Sequence, residues 1–239
     1  MKIGFERNEL RPRYDVPDML EDEWHEYTGE KTLEFLRSYL PLSTAASKWL
    51  LNAGAGVYEI RFSQCKEVLV DLFVTPIRKK PYAVCASVEK LPFSRDTFDE
   101  IVCVGEVLAY CDPAVAINEF GRVLKRSGIV VIDFCNSRSV RYWLKKSYGR
   151  AADLVTDFYN GTTERTWIYD YAYIDNLMKS AGLEVIARLG THTWSALARR
   201  FGATMSTAVL IQRHLDRLPL PRRCADVMTI VASRSSAGK

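Results

Sequence analysis

The chain has 239 residues, of which 48% are hydrophobic and 26% are charged, and its formal net charge is +4. These values are those of an ordinary globular protein with ample material for one core, and the mild positive charge tolerates an anionic partner without requiring one. No apolar segment approaches the ~18–20 residues of a membrane span, and Met1–Arg13 lacks the apolar run of a signal peptide, so we expect a cytoplasmic protein.

The first 45 residues are predicted to form a helical cap. Residues 1–17 are charged, which favours an extended arm. From Asp18 to Leu40 the apolar spacing predicts an amphipathic helix that breaks near Gly29, with a second helix over Lys31–Tyr39. Two interpretations stay open: helices that pack on a sheet edge, or a lid over a ligand. In the second, the inward-facing side chains are Trp24, His25 and Tyr27.

Five short apolar runs predict the strands of a sheet. They are Lys48–Asn52, Val68–Asp71, Tyr82–Ala86, Glu100–Val104 and Ile129–Phe134. The eleven residues Val57–Glu67 leave room only for a short or irregular helix, and two prolines before the third strand favour a loop there. Pro113–Leu124 predicts a helix before the fifth strand. This order indicates an α/β fold with a parallel sheet.

The last hundred residues continue the alternation of helices and strands. A basic, aromatic helix is predicted over Val140–Asp153 and a loop over Asp157–Gly161. The further predicted elements are a helix at Ile174–Ser180 closed by Gly182, a strand at Leu183–Leu189, a helical stretch at Thr193–Leu218 interrupted by Gly202, and a strand at Val227–Ala232.

The six cysteines form no CxxC pair, and three of them lie in predicted buried strands: Cys85, Cys103 and Cys135. We interpret them as core thiols, so we expect neither a metal site nor disulfides.

The turn after the first strand indicates a backbone that must lie against a ligand. Its residues are Asn52, Ala53, Gly54, Ala55 and Gly56, and glycine supplies the necessary backbone freedom without a Cβ. Asp71, at the end of the second strand, is placed to bind the hydroxyls of a ribose. Glu59 stands where a dinucleotide site needs a third glycine, and no long helix follows to hold a pyrophosphate. A cofactor with a ribose but no phosphate therefore fits better.

Four linked motifs then carry a resemblance to a known family. They are ASVEKLPF at 86–93, DTFDEIV at 96–102, EVLAYCDP at 106–113 and EFGRVLKRSG at 119–128. With the glycine turn they resemble the class I S-adenosylmethionine-dependent methyltransferases over about residues 48–136. More closely, they are similar to the small-molecule branch that includes the ubiquinone/menaquinone-biosynthesis type.

The resemblance implies both a fold and an activity. The fold is a Rossmann-like, mostly parallel seven-stranded sheet with helices on both faces, reduced first helices and a helical cap. Residues 1–239 would form one domain, with a cofactor-binding half at 46–136 and a substrate-side half at 137–239 that includes a helical insertion at about 193–222. The activity is methyl transfer from S-adenosyl-L-methionine to an O, N or C atom of a small molecule.

The resemblance also assigns roles to residues. The turn from Asn52 to Gly56 would pass under the methionine part of the cofactor, Asp71 would hold the ribose, and Leu72 would pack on the adenine. Ser87 and Val88 would meet the adenine edge, and the sulfonium side would be lined by Val104, Gly105 and Glu106. Three positions depart from the family pattern, in which acidic residues or glycine are usual: Asn52, Tyr58 and Ser87.

Methyl transfer requires positioning and sometimes a base, but no metal or nucleophile. His192, just past a predicted strand, is the leading candidate for a base, although a structural role is also open. Tyr110 stands where the family often has histidine and could orient an acceptor, and Tyr27 with His25 lies in the proposed lid. Three aromatic residues could line an acceptor pocket or simply belong to the core: Tyr159, Trp167 and Tyr169.

Other functions are weighed against this one. The basic stretches Arg141–Arg150 and Arg199–Arg223 could serve an RNA methyltransferase, although charges that alternate with apolar residues are typical of a solvated helix face. The three departures are compatible with a catalytically silent cofactor-binding or scaffold protein. A nicotinamide oxidoreductase is disfavoured by Glu59. We therefore expect a small-molecule acceptor as partner, and not a nucleic acid.

Overall fold

The structure is a computed structural model that describes residues 3–6, 9–10, 23–40, 47–56, 65–73, 77–159, 162–218 and 222–235. Its helices are α1 (Glu23–Tyr39), α2 (Pro113–Val123), α3 (Tyr171–Ser180), α4 (Thr193–Arg200) and α5 (Met205–Leu215). Its strands are β1 (Trp49–Ala53), β2 (Lys66–Asp71), β3 (Ala83–Cys85), β4 (Phe98–Cys103), β5 (Leu124–Cys135), β6 (Ala152–Tyr159), β7 (Thr162–Tyr169), β8 (Leu183–Thr191) and β9 (Val227–Arg234). Short 3-10 turns lie at Val107–Ala109, Val140–Tyr142 and Arg222–Cys224.

Seven of these strands form one sheet in the order β3-β2-β1-β4-β5-β9-β8. The pairs from β3 to β5 are parallel, and β9 is antiparallel to both of its neighbours. Strand β8 therefore runs in the same direction as β5, and the carboxyl ends of β1 to β5 and of β8 meet at one edge. The predicted α/β fold with a mostly parallel seven-stranded sheet is confirmed. As in Rossmann-like folds, the order in which strands are added to the sheet reverses between β1 and β4.

Consecutive strand residues point to opposite faces of the sheet, and the core divides accordingly. Leu51 and Ile101 belong to the large cluster that also takes Phe120 of α2 and the buried residues of α3. Leu50 belongs to a smaller cluster on the other face, where Leu36 of α1 is fully buried. Because both faces are covered, the strands read as continuous apolar runs, which is typical of parallel sheets.

The helices begin and end where the local sequence dictates. Asp112 caps α2 through its carboxylate, which accepts from the Ala114 N–H at 2.9 Å, and proline occupies the first helical position. Asp170 caps α3 in the same way, through the Ala172 N–H at 2.8 Å. After α3 the chain turns at Gly182 with φ +74°, as the sequence predicts.

Several predicted boundaries are wrong. Helix α1 runs unbroken through Gly29, where a built Cβ would have no described atom within 4 Å. Strand β5 begins at Leu124, because residues 125–128 bulge out of the ladder and do not form a separate turn. The stretch Val140–Asp153 is not a helix: it has one 3-10 turn at its start, and its end enters β6.

The outcomes for the predicted loop at 157–161, for the cysteines and for the short helix at 57–67 differ from one another. Part of Asp157–Gly161, predicted as loop, belongs to the β6–β7 hairpin, where cross-strand pairs replace the expected loop. Cys85 is exposed, because β3 lies at the edge of the sheet, whereas Cys103 is buried. The short helix expected after the glycine turn, at 57–67, falls mostly outside the described residues.

Candidate active site

The glycine turn after β1 is tied to the end of β2. The N–H groups of Gly54 and Ala55 both donate to the Val70 carbonyl, at 2.8 and 2.9 Å. Gly54 has φ +77°, and a Cβ on it would lie 2.4 Å from Val107 Cγ2. Among the described residues, the atom nearest to a Cβ built on Gly56 is a carbonyl oxygen at 3.9 Å. Gly54 is thus required by the approach of the loop after β4, while Gly56 faces space that a ligand could use.

Asp71 lies between this turn and the loop that follows β2. Its Oδ2 accepts from the Gly56 N–H at 2.7 Å and its Oδ1 from the Phe73 N–H at 2.8 Å. The side chain is 2% exposed. Burial raises its pKa, and the backbone donors oppose that rise. A carboxylate has about four lone-pair positions, so acceptor capacity remains for further donors such as hydroxyl groups.

The loop after β4 is held by an aspartate that sequence reasoning missed. Asp133 of β5 is buried, and its two oxygens accept from the N–H groups of Gly105 and Glu106, each at 2.8 Å. Burial is the main cause that raises the pKa of Asp133 to about 7. A charged residue within the apolar run of β5 was the signal that could have revealed it.

Glu106 has an unusual backbone for its residue type. Its φ is +60°, in the left-handed region that disfavours residues with a Cβ. Its Oε2 accepts a hydrogen bond from Cys135 Sγ at 3.1 Å, and burial raises the pKa of that thiol. Neighbouring Gly105 has φ +91° and open space around a built Cβ. The predicted residues Val104 to Glu106 therefore form a fixed loop beside an open space.

The residues predicted for the adenine edge lie after β3. Ser87 Oγ accepts from the Glu89 N–H at 3.1 Å and donates to Glu89 Oε2 at 3.3 Å. The other oxygen of Glu89 accepts from the Asp112 N–H at 2.8 Å. Val88 is buried, and Leu72 is half-buried at the end of β2. A carboxylate thus lies directly beside Ser87, where the family pattern usually has an acidic residue.

Asn52, the other departure that falls on described residues, also contacts a carboxylate. It is buried in β1, and its Nδ2 donates to Glu67 Oε1 at 3.0 Å. Glu67 belongs to the neighbouring strand β2, which pairs with β1 in parallel. Sequence reasoning did not connect the two, because their contact depends on strand register. Tyr58, the remaining departure, lies outside the described residues.

The motifs after β3 and in α2 are joined by a charged clamp. Arg122 pairs with Glu119 at 2.6 Å and donates to the carbonyls of Phe93 and Leu91 at 2.6 and 2.9 Å. Glu119 also accepts from the Leu91 N–H at 2.8 Å. The hydrogen bond from Arg122 is the largest cause that lowers the pKa of Glu119. The clamp fixes the loop that carries Ser87 relative to α2.

His192 is fully buried, with both ring nitrogens engaged. Its Nε2 lies 2.7 Å from Thr28 Oγ1, and its Nδ1 lies 2.8 Å from Ser195 Oγ. Because the Thr28 hydroxyl donates to the Trp24 carbonyl, Nε2 is the donor toward Thr28 and a neutral ring accepts at Nδ1. The ring stacks on Trp24, with centroids 3.6 Å apart. In this arrangement His192 joins α1 to α4, and neither nitrogen is available to an acceptor.

Tyr27 takes part in the same junction. It is 1% exposed, its hydroxyl donates to Asp216 Oδ1 at 2.6 Å, and its ring meets His192 edge-on at 5.0 Å. Burial and the neighbouring Asp216 raise its pKa far above the ordinary value. Trp24 and Tyr27 thus face inward, as the lid interpretation expects, but they face protein atoms. His25 is half-buried on the same helix.

The remaining aromatic candidates lie near the 3-10 turn after β4. Tyr110 is half-buried at the end of that turn, and its carbonyl accepts from the Phe5 N–H at 3.1 Å. Tyr169 is buried and donates to the Leu108 carbonyl at 3.0 Å. Trp167 is 3% exposed within the large core cluster. Tyr110 is therefore the member of this group with an accessible side chain, and the side chain of Tyr159 lies outside the described residues.

Comparisons with known proteins concern the domain and its fold. Residues 45–132 match the family described as a methyltransferase domain. The uncharacterised protein MJ1252 of Methanocaldococcus jannaschii is 25% identical over 135 residues, 51% of this chain and 53% of that protein. The malonyl-[acyl-carrier protein] O-methyltransferase of Herminiimonas arsenicoxydans is 39% identical over 67 residues, 28% of this chain and 25% of that protein. The chain thus spans about half or less of the length of these curated relatives.

Among solved structures, an S-adenosylmethionine-dependent methyltransferase from Clostridium acetobutylicum ATCC 824 has a TM-score of 0.59 to this chain. The alignment covers 96% of this chain and 99% of that one, at 14% sequence identity. At this identity the likeness shows the fold, and the family match concerns residues 45–132.

Proposed function

We propose that this chain, whose residues 45–132 match a methyltransferase domain, is a class I enzyme that transfers the methyl group of S-adenosylmethionine to a small-molecule acceptor. The single observation that carries the proposal is the hydrogen bond from the Gly56 N–H to the Asp71 carboxylate at the carboxyl edge of the sheet. It places a buried carboxylate beside a turn with open space, at a point where α/β sheets bind nucleoside cofactors. The substrate branch suggested by the resemblance is part of the proposal.

The described residues fit the cofactor in three places. Asp71 keeps acceptor capacity for the two donors of a ribose diol. As far as the described residues go, Gly56 and Gly105 both leave open space where a side chain would otherwise lie. Each group would thus meet a different part of an elongated ligand, because the carboxyl ends of β1, β2 and β4 are neighbours in the sheet.

Two carboxylates support the proposal that the departures from the family pattern still allow binding. Glu67 is hydrogen-bonded to Asn52, and Glu89 to Ser87. A carboxylate therefore lies beside Asn52 and beside Ser87, the two positions where the family pattern usually has an acidic residue. We infer that Glu67 supplies the charge near the cofactor's amine, and that Glu89 orients Ser87 toward the adenine.

The chemistry follows from positioning. When bound, the cofactor supplies an activated methyl group on a sulfonium. The chain's task is to align the acceptor and exclude water, for which the fixed loop of Gly105 and Glu106 and the half-buried Tyr110 are suited. His192 and Tyr27 are better explained as positioning residues that dock α1, since their polar atoms are engaged within the chain.

Titration calorimetry with S-adenosylhomocysteine, the demethylated cofactor, tests the proposal. We expect binding by the unmodified chain and at least ~10-fold weaker binding by Asp71→Asn, because a hydrogen bond to a charged group contributes about 1.5–3 kcal/mol. Asp153→Asn removes a carboxylate from β6, outside the main sheet, and serves as the matched control. Thermal unfolding without ligand separates lost binding from lost folding.

Several results would contradict the proposal. Equal affinity of Asp71→Asn and the unmodified chain would refute the ribose assignment. Binding of NAD in preference to S-adenosylhomocysteine would favour an oxidoreductase. Cofactor binding without turnover across O, N and C acceptors would favour a silent binding protein.

A further inference from the structure

Three large apolar side chains on two adjacent segments are unusually exposed. Leu144 is 84% exposed, Phe201 is 81% exposed and Trp143 is 56% exposed. Leu144 also has φ +66°, a left-handed conformation that glycine or asparagine adopts more readily. The folded chain buries almost none of this leucine, and glycine or asparagine would adopt the same backbone conformation with less strain. Its side chain therefore calls for an explanation outside the folded chain.

These residues belong to one surface. Arg200 of α4 donates to the Arg141 carbonyl at 3.2 Å, which joins the end of α4 to the 3-10 turn that precedes Trp143. The loop itself is closed by hydrogen bonds from the Lys145 N–H to Tyr142 at 2.8 Å and from the Gly149 N–H to Ser137 at 3.0 Å. The apolar side chains are thus presented on a folded loop. We call this surface the basic apolar patch; it comprises Trp143, Leu144, Lys145, Lys146, Arg199, Arg200 and Phe201.

The charge around these side chains has one sign. Residues 137–152 contain five lysines and arginines and no acidic residue, and residues 193–215 contain three and none. These eight cations compare with a net charge of +4 for the whole chain, so the remainder is net negative. Four of the eight pair with carboxylates, namely Arg138, Arg141, Arg150 and Arg213.

The four cations of the patch are not neutralised in this way. Arg199 and Arg200 donate to backbone carbonyls, of Ala203 and Arg141. Within the described ranges, neither they nor Lys145 and Lys146 form an ion pair with a carboxylate. Their positive charge is therefore presented to solvent next to the apolar tips.

This combination suits the interface of an anionic bilayer. Exposed tryptophan, leucine and phenylalanine side chains can enter the headgroup boundary while surrounding lysines and arginines meet anionic headgroups. A single-stranded nucleic acid would use aromatic rings for stacking, but Leu144, the most exposed of the three, has no ring. None of the described helices is long and apolar enough to cross a membrane, so the contact would be peripheral.

We infer that the basic apolar patch binds the surface of membranes that contain anionic lipids. The inference stands on the patch alone and does not depend on the proposed methyl transfer. It predicts a bilayer affinity that requires both the apolar tips and the cations, and that decreases as salt screens the charges.

Cosedimentation with lipid vesicles tests it. The unmodified chain should bind vesicles of phosphatidylcholine with about 30% phosphatidylglycerol, and bind pure phosphatidylcholine weakly. Leu144→Asn keeps a residue that tolerates the left-handed backbone and should lower the partition coefficient by about 10-fold. The double variant Lys145→Ala/Lys146→Ala should lower it by a similar factor and remove the preference for anionic vesicles.

Matched controls come from other exposed sites. Ile186→Thr removes an apolar side chain that is 48% exposed on β8, and Arg78→Ala/Lys79→Ala removes two exposed cations. Neither should change vesicle binding, and circular dichroism should show all variants folded. The inference is overturned if the unmodified chain does not bind anionic vesicles. It is equally overturned if Leu144→Asn binds them unchanged, or if a single-stranded RNA binds with a preference that Leu144→Asn leaves intact.

Discussion

Asp133→Asn should remove a pH dependence from the stability of this protein. Asp133 is 1% exposed in β5, and both of its oxygens accept backbone N–H groups of the loop after β4. Burial raises its pKa to about 7, Glu106 adds to the rise, and the two N–H donors oppose it. The carboxyl group is therefore much less acidic in the folded chain than in the unfolded one, where its pKa is about 3.9.

The sign and size follow from proton linkage. Between about pH 4 and about pH 7 the folded state binds more protons than the unfolded state, so the free energy of unfolding falls as the pH rises. The slope approaches ~1.4 kcal/mol per pH unit, and the whole effect is at most about 4 kcal/mol. Above about pH 7 the contribution is constant. Asparagine does not titrate, but it offers a donor to one of the two N–H groups and should cost about 1–3 kcal/mol.

Urea unfolding from about pH 5 to about pH 8 measures this. The unmodified chain should lose its advantage over Asp133→Asn as the pH rises, and the two curves should run parallel above about pH 7. Asp99→Asn is the control. Burial raises the pKa of Asp99, but hydrogen bonds from Lys125 and the Trp49 N–H outweigh it, so that pKa is lowered. Its contribution is lost only below about pH 4. A constant difference between Asp133→Asn and the unmodified chain across the range would refute the reasoning.

Substitutions at Gly54, Gly29 and Tyr27 probe the framework around the site. Gly54→Ala should destabilise the chain by about 1–3 kcal/mol, because Gly54 has a positive φ and its new Cβ would lie 2.4 Å from Val107 Cγ2. In a double-mutant cycle, Val107→Ala should recover part of this loss. Gly29→Ala, in open space on α1, should instead stabilise it by about 0.5–1 kcal/mol; equal effects at the two glycines would contradict this. Tyr27→Phe should cost about 1–2 kcal/mol in chemical denaturation through the lost hydrogen bond to Asp216, and an unchanged midpoint would argue against that bond.

The strands and helices of residues 48–136 could be predicted from the sequence because their signals are local. The run before Gly54, the cap at Asp112 and the glycine after α3 each determine an element within a few residues. The β6–β7 hairpin was missed because basic and aromatic residues dominate its approach, and its pairing depends on cross-strand contacts. Nearby, the sequence suggested a helix where the structure has a folded loop.

The sequence by itself determined the fold class, the glycine turn and the position of Asp71, because each depends on the order and ends of strands. Tertiary structure alone decided which side chains meet. It joined Asn52 to Glu67 across two strands, placed Asp133 beneath the loop after β4, and buried His192 between α1 and α4. These three contacts join residues up to 164 positions apart. No local pattern can specify them, because they depend on sheet register and on the packing of helices against it.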